Sequence, residues 1–312
     1  MPPPCHVFAL AFACLFLAAA VCPSAAQPPS MTGIEVTPAG GVTVRGAGMA
    51  GARYDLYRTD ALGALPPWGE AVGSGLAGTN GQFAVEDSDP ATAPAGFYCV
   101  TEKAVVHRKV QLWADGPYWA ETNVGAEEPW EYGFYFWWGD TVGCRRVGNA
   151  WVANDGSTDN FSFLAENTPR YNMKNSELKA EGWLTEDNVL TPAHDAAHVH
   201  WGGGWRIPTH DELNDLCYNK CDWSEATTNG VFGYRVRGRG SFAGASIFLP
   251  AVGSAAGNLL SDSGWIAYYW SSYAGKYNYY GDYLRVINEY HDMFLTYRAR
   301  YSGHTIRPVQ SP

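Results

Sequence analysis

The segment His194–His200 (HDAAHVH) has residue types and a spacing that could hold a metal ion. His194 and His198 are four residues apart, so a helix would place both imidazoles on one face, as zinc sites require. A catalytic zinc also needs a third ligand and a base, and no H-E-x-x-H pattern occurs. Asp195 can cap the helix or form an ion pair with a nearby residue. We therefore expect surface or structural histidines here and predict no metal site.

Cysteine chemistry is the second candidate. Four cysteines follow the N-terminal apolar segment, at Cys99, Cys144, Cys217 and Cys221. In an oxidising compartment they permit two disulfides in about three connectivities. Cys217 and Cys221 are four residues apart on a predicted helix, which puts their Cα atoms roughly 6 Å apart. They can pair at some strain, or each can pair with a distant cysteine, and the sequence leaves both arrangements open.

Hydrolytic and phosphate chemistry lack their usual patterns. Ser271 and Ser272 are not part of a G-x-S-x-G turn, and serines in strands are usually structural. Glu127 and Glu128 are adjacent, so their carboxylates diverge instead of flanking one bond. The glycines of WGGGW lack the lysine and the strand–loop–helix context of a phosphate-binding loop. We therefore predict a non-enzymatic protein with no catalytic residue and no cofactor.

The C-terminal stretch of residues 268–301 is instead rich in side chains that favour binding. It holds ten of the 19 tyrosines of the chain. Tyrosine supplies a rigid ring and asparagine supplies adaptable hydrogen bonding, a combination that binding loops favour. A buried core cannot provide hydrogen-bond partners for so many polar groups. Leu284, Val286, Phe294 and Leu295 can supply the buried side, and ordinary packing is the alternative for the tyrosines. The candidate ligand-binding residues are Tyr268, Tyr277, Asn278, Tyr279, Tyr280, Asp282, Asn288, Tyr290, His291 and Tyr297.

Composition limits the partners that such a surface can have. The 312 residues are 46% hydrophobic and 14% aromatic, enough for a real core, and the net charge is −10. Nucleic acid requires a basic face, and the short run Arg235, Arg237 and Arg239 alternates as the exposed side of a strand does. We expect a glycan or protein ligand and no nucleic acid.

Residues 1–26 have the pattern of an export signal. An apolar run, HVFALAFACLFLAAAV, precedes the small residues Ser24, Ala25 and Ala26, although the first residues carry no Lys or Arg. The run is short for a membrane span, and no later segment is longer. We therefore predict an exported chain, in the periplasm, at the cell surface or secreted, whose mature part does not span a membrane.

The remaining chain divides into two predicted domains. Residues 27–103 contain short alternating runs such as YDLYRT and GFYCV, and this part is similar to fibronectin type III-like or immunoglobulin-like spacer modules. Residues 104–312 combine strand patterns with two predicted short helices. One contains HDAAHVH, and the other begins at the capping box formed by Thr209 and Glu212. The predicted fold class is α+β with many strands.

The second domain resembles a known family through six motifs in order. LWADGPYWAETNVGA, PWEYGFYFWWGDT, DAAHVHWGGGWRIPTHDEL, IFLPAVG, YYWSS and HTIRPV, between about Gln111 and Val309, are similar to the Fibrobacter succinogenes major paralogous domain. The resemblance implies a C-type-lectin-like fold, shared with formylglycine-generating enzymes. Those enzymes use a late cysteine pair, and no cysteine follows Cys221. The E-P-N, Q-P-D and W-N-D motifs of calcium-dependent lectins are also absent.

Variable proteins of diversity-generating retroelements resemble the same class. Adenine-directed mutagenesis of their codons yields Tyr, Asn, Asp, Ser and His, which make up 17 of the 34 residues from Tyr268 to Tyr301. The leading hypothesis is an exported recognition protein with a Tyr/Asn-rich C-terminal face, and diversification of that face is a further hypothesis. The alternatives are a metal- or cysteine-dependent enzyme of the formylglycine-generating type and a structural envelope protein.

Overall fold

The computed structural model describes residues 6–9, 29–36, 41–48, 52–59, 70–78, 81–87, 97–103, 107–287 and 292–312. The chain divides into two compact units, Met1–Val106 and His107–Pro312.

The first unit is built from two antiparallel sheets that share one core. Its sheets have the strand orders β1-β7-β4-β5 and β2-β3-β6. Val44 and Phe83 of one sheet and Tyr54 and Leu56 of the other lie in the same buried cluster, and the rings of Tyr54 and Phe83 stack 4.2 Å apart. The strands are β1 (His6–Ala9), β2 (Ser30–Val36), β3 (Val42–Ala47), β4 (Arg53–Thr59), β5 (Gly73–Leu76), β6 (Gln82–Glu86) and β7 (Phe97–Lys103).

Most of the predicted export signal, residues 1–26, lies outside the described residues. The exception is β1, which pairs in antiparallel fashion with Phe97–Val100 at the edge of its sheet. Among the described residues, no helix is both long and apolar enough to cross a lipid bilayer.

The second unit contains several small sheets. Their strand orders are β12-β21-β9-β8, β13-β14-β15, β18-β19-β20, β10-β11 and β16-β17. The strands are β8 (Lys109–Gln111), β9 (Tyr118–Ala120), β10 (Cys144–Val147), β11 (Ala150–Ala153), β12 (Trp205–Arg206), β13 (Cys221–Thr228), β14 (Val231–Gly238), β15 (Ser246–Pro250), β16 (Ser254–Ala256), β17 (Leu259–Ser261), β18 (Ile266–Trp270), β19 (Tyr280–Ile287), β20 (Asp292–Ala299) and β21 (Val309–Gln310).

The helices of the second unit are short, and local side chains fix where they begin. They are α1 (Asn175–Ala180), α2 (Ala196–Trp201) and α3 (His210–Asn214), and a π-turn (Asp215–Asn219) continues α3. Asp195 caps α2 by accepting a hydrogen bond from the backbone N–H of His198 at 3.1 Å. The predicted capping box of Thr209 and Glu212 is confirmed at the start of α3.

The predicted α+β class is wrong. The structure is 45% strand and 13% helix, with seven small sheets and three short α-helices among the described residues. The helices have five or six residues each, so none of them can form a layer against a sheet. Bulky aromatic residues and frequent glycines favour strands and turns, and the described chain is therefore β-rich.

The sheet β18-β19-β20 is covered on both faces. Ala267, Tyr269, Leu284 and Val286 point into one buried cluster, whereas Tyr268, Trp270 and Tyr283 point into another. Burial of Leu284 and Val286 confirms their predicted place in the core. A sheet held from both sides is a stiff support for the residues at its ends.

Candidate functional site: an exposed tyrosine face

Three of the predicted ligand-binding tyrosines form one exposed cluster at an end of this sheet. Tyr277, Tyr280 and Tyr297 are 42%, 38% and 48% exposed. The ring centroid of Tyr297 lies 4.6 Å from that of Tyr277 and 5.4 Å from that of Tyr280, with the rings tilted against each other. We call these three residues the tyrosine face. Large rings that contact one another yet stay open to solvent provide a ready recognition surface.

Strand register brings the tyrosine face together. In the antiparallel pairing of β19 with β20, Tyr280 lies opposite Ala299 and Asp282 lies opposite Tyr297. Tyr280 and Tyr297 are therefore diagonal neighbours on the same side of the sheet, within reach of each other's rings. Tyr277 joins them from the connection between β18 and β19.

The connection that carries Tyr277 is tied to the start of α1. The backbone N–H of Asn175 donates to Oδ1 of Asn278 at 2.9 Å, and Nδ2 of Asn175 donates to the carbonyl oxygen of Gly275 at 2.9 Å. Asn278 was predicted to contact a ligand, but its side-chain oxygen bonds to the scaffold. Its role in the structure is to hold the connection in place.

A buried arginine holds the next part of the turn. The guanidinium of Arg300 donates to the carbonyl oxygens of Tyr280 at 3.2 Å and Met173 at 2.8 Å, and to Oδ1 of Asn175 at 2.5 Å. Burial lowers the pKa of Arg300 to about 10. The same side chain lies over the ring of Trp138, 5.0 Å from its centroid.

Gly281 completes the close packing beneath the tyrosine face. A Cβ atom at this position would lie 2.5 Å from the ring of Trp138, so only glycine lets β19 approach that indole.

Tyr279 has a backbone conformation that is rare for its residue type. Its φ is +74°, in the left-handed region that glycine and asparagine adopt more easily. The ring is also well exposed. Strain of this kind at an exposed aromatic residue is typical of positions kept for function.

Next to the tyrosine face lies a histidine–aspartate pair. Nδ1 of His210 is 2.8 Å from Oδ2 of Asp282, and the imidazole is about two-fifths exposed whereas the carboxylate is buried. Burial raises the pKa of Asp282 to about 6, and the hydrogen bond with His210 opposes this rise. Asp282 was predicted to contact a ligand. The structure places it behind His210, which is the member of the pair that solvent reaches.

Tyr218 contacts β20, the strand that carries Tyr297. It is half-exposed, and burial of the rest of its ring raises its pKa, while a hydrogen bond with the backbone of Leu295 opposes that rise. Leu295 is two residues from Tyr297 along β20, so this contact lies close along the strand to the tyrosine face. Sequence reasoning missed His210 and Tyr218, which belong to the helical segment 210–219 and reach the sheet only through tertiary packing.

Tyr268 lies in the core and not on the surface. It is 2% exposed, its hydroxyl donates to Oδ2 of Asp262 at 2.9 Å, and its ring stacks on Tyr283. A ligand cannot reach this ring without opening the sheet, so we leave it out of the tyrosine face.

Three further candidates, Asn288, Tyr290 and His291, lie outside the described residues.

The residues that sequence spacing marked for other chemistry have structural contacts. His194 ends a 3₁₀ turn and stacks on Trp183 at 3.8 Å, whereas His198 lies in α2, so the two do not share a helix face. The buried hydroxyl of Ser271 accepts from the backbone N–H of Tyr273, and that of Ser272 donates to the carbonyl oxygen of Pro208. Among the described residues, no three His, Cys, Asp or Glu side chains are grouped to hold a metal ion.

The chain matches no protein-family model, no curated protein and no solved structure. The resemblance to the Fibrobacter succinogenes major paralogous domain therefore stays a prediction, and a function has to be inferred from the geometry of the tyrosine face.

Proposed function

We propose that this chain is an exported, non-enzymatic recognition protein that binds a glycan, peptide or protein ligand through the tyrosine face. The observation that carries the proposal is the contact of three half-exposed rings, Tyr277, Tyr280 and Tyr297, at the end of a sheet that is buried on both faces.

Rigidity supports a binding role. A tyrosine ring loses little conformational entropy when it binds, and its hydroxyl can donate or accept a hydrogen bond at the rim of a contact. The buried side chain of Arg300 and the side chain of Asn175 hold the turn from behind. A ligand therefore meets rings that are already in place, which lowers the entropic cost of association.

Polar groups beside the rings give the surface directional contacts. The Asp282 carboxylate orients the imidazole of His210 through Nδ1, so Nε2 can bond to a ligand hydroxyl or amide. The hydroxyl groups of the tyrosine face add donors and acceptors around an apolar centre. This combination suits a sugar ring or a short peptide as well as the side chains of a protein.

Diversification by a retroelement is the finer part of the proposal. Substitution of an exposed tyrosine leaves no cavity in the core, whereas substitution of the buried Tyr268 or Tyr283 does. The exposed positions are Tyr277, Tyr279, Tyr280 and Tyr297. If the gene has a near-repeat that differs at adenines, we expect variable codons at the four exposed positions and constant codons at the two buried ones.

Ligand binding is tested by screening the full chain on a printed glycan array and against a phage-displayed peptide library. Wild type is compared with the triple variant Tyr277→Ala/Tyr280→Ala/Tyr297→Ala. We expect a saturable probe that the triple variant binds at least about tenfold more weakly. Tyrosines that become buried when an interface forms are common hot spots of binding.

Trp265→Ala is the matched control. Trp265 is 73% exposed and precedes β18 near the opposite end of the sheet. The substitution therefore removes an exposed aromatic ring and leaves the tyrosine face unchanged. Equal loss of binding in this variant would contradict a specific role for the three tyrosines. Absence of any saturable probe would favour a structural envelope protein.

A further inference from the structure

A fully buried histidine lies among aromatic rings in the second unit. The side chain of His304 is 0% exposed. Its ring centroid lies 4.2 Å from that of Trp270, 4.8 Å from that of Tyr283 and 5.2 Å from that of Tyr268. The imidazole is therefore enclosed by protein and has no contact with bulk water.

This imidazole has one hydrogen-bond partner and lacks a second. Nε2 of His304 lies 3.2 Å from the hydroxyl oxygen of Ser254, whereas the buried Nδ1 has no partner. In a neutral ring that donates through Nε2, Nδ1 carries only a lone pair. In the protonated ring both nitrogens are donors, so the N–H at Nδ1 would have no acceptor in a site that water does not reach.

Two arginines near the imidazole also oppose its protonation. Arg298 and Arg285 lie over the ring of Tyr268, 5.7 Å and 6.0 Å from its centroid. The carboxylate of Asp262 accepts from the hydroxyl of Tyr268, and among the described residues no carboxylate bonds to His304 itself. Burial lowers the pKa of His304 well below its usual value of 6.5, and the charge of Arg298 lowers it further.

His304 connects the segment around Phe136 with β16 and β18. The backbone N–H of His304 donates to the carbonyl oxygen of Phe136 at 3.0 Å, and the N–H of Phe136 donates back at 2.9 Å. The same Phe136 oxygen accepts from Nε1 of Trp270 in β18 at 2.7 Å. Two residues further along the chain, Trp138 lies beneath Gly281. A disturbance at His304 therefore reaches the support of the tyrosine face.

We infer that His304 is an acid-sensitive switch, whose protonation opens the packing between β18, β16 and the segment around Phe136. In the unfolded chain a histidine takes up its proton near pH 6.5, whereas in the folded chain His304 does so only at much lower pH. The contribution of His304 to stability is therefore fully present above pH 6.5 and is lost as pH falls below that value. This switch is independent of the ligand that the tyrosine face binds.

Urea denaturation of the full chain at pH 6 and at pH 4.5 tests the switch, with His304→Gln as the variant. Glutamine does not titrate and keeps an N–H donor for Ser254. We expect the unfolding equilibrium constant of wild type, divided by that of the variant, to increase about 20-fold from pH 6 to pH 4.5. A ratio that stays constant would overturn the inference, because His304 would then titrate alike in the folded and unfolded chains.

His198→Gln is the matched control. It removes a histidine that is only partly buried, and its unfolding equilibrium constant should follow that of wild type across the same pH range. A pH dependence in the control as altered as in His304→Gln would also overturn the inference, because the effect would then not be specific to His304.

Hydrogen exchange of the wild-type chain keeps the switch testable if His304→Gln does not fold. After correction for the intrinsic effect of pH, protection in residues 134–138, 266–270 and 302–306 should fall on acidification from pH 7 to pH 5. It should fall by more than protection in the hairpin of β13 and β14, which lies away from His304 in the strand pairing. Protection that is retained in those three segments would contradict the switch.

Discussion

The guanidinium Nε of Arg300 lies 3.2 Å from the carbonyl oxygen of Tyr280, and through this contact a buried charge fixes an exposed ring. Arg300 also bonds to Met173 and Asn175, so the residue that follows β20 is joined to β19, to the segment before α1 and to the first residue of α1. The tyrosine face therefore depends on a residue that is itself buried.

Replacing Arg300 with Met should destabilise the chain and loosen the turn before β19. The change leaves the carbonyl oxygens of Tyr280 and Met173 without their donor, and we expect a loss of at least about 2 kcal/mol in the free energy of unfolding. Urea denaturation measures this loss, and hydrogen exchange should speed up in residues 275–280. Arg300→Lys keeps the positive charge but lacks the planar guanidinium with its several N–H donors. Its loss in the free energy of unfolding should be intermediate between those of wild type and the Met variant. A Met variant as stable as wild type would refute this role.

Tyr279→Asn should separate stability from binding. Asparagine adopts the left-handed backbone conformation more easily, so relief of the strain should stabilise the fold by about 1 kcal/mol and raise Tm by roughly 2–4 °C. Loss of the exposed ring should weaken ligand binding at the same time. Tyr280→Asn is the control, because Tyr280 begins a regular strand and has no such strain to relieve. If calorimetry showed that Tyr279→Asn lowers Tm, the claim that the Tyr279 backbone is strained would be contradicted.

Asp282→Asn should change how stability depends on pH. Burial raises the pKa of Asp282 from 3.8 to about 6, so the folded state binds a proton more tightly than the unfolded state does. Its contribution to stability is therefore fully present below pH 3.8 and is lost as pH rises through about 6.

Asparagine carries no charge and does not titrate. The free energy of unfolding of the variant, relative to that of wild type, should therefore increase by about 2 kcal/mol as pH rises from 4 to 7. Denaturation at several pH values measures the difference between the two proteins, in which the titration of other buried groups cancels. A difference that stays constant across this range would show that Asp282 titrates normally in the folded chain.

Local features of the fold were predictable from sequence, and features that depend on distant packing were not. The capping box of Thr209 and Glu212 uses residues three positions apart, so its pattern is visible in the chain. Tyr268 and Tyr280 have the same side chain in the same polar stretch. One is buried and the other exposed because aromatic residues such as Phe136 and Trp138, far away in sequence, cover one face of the sheet.

The candidate site shows the same division. Composition predicted Tyr277, Tyr280 and Tyr297, which do form one exposed cluster. His210 was missed because its contact with Asp282 spans 72 residues and depends on where α3 packs. The predicted α+β class was wrong because capping patterns predict where helices begin, whereas the α-helices of the described chain extend for only five or six residues.

The most direct test of the account is the dissociation constant of the strongest glycan or peptide probe, measured by titration calorimetry for wild type and for Tyr277→Ala/Tyr280→Ala/Tyr297→Ala. The account predicts at least a roughly tenfold weaker affinity in the variant, with a folded structure by circular dichroism and a cooperative melt. An unchanged dissociation constant in the folded variant would contradict it, because the exposed rings would then have no part in recognition.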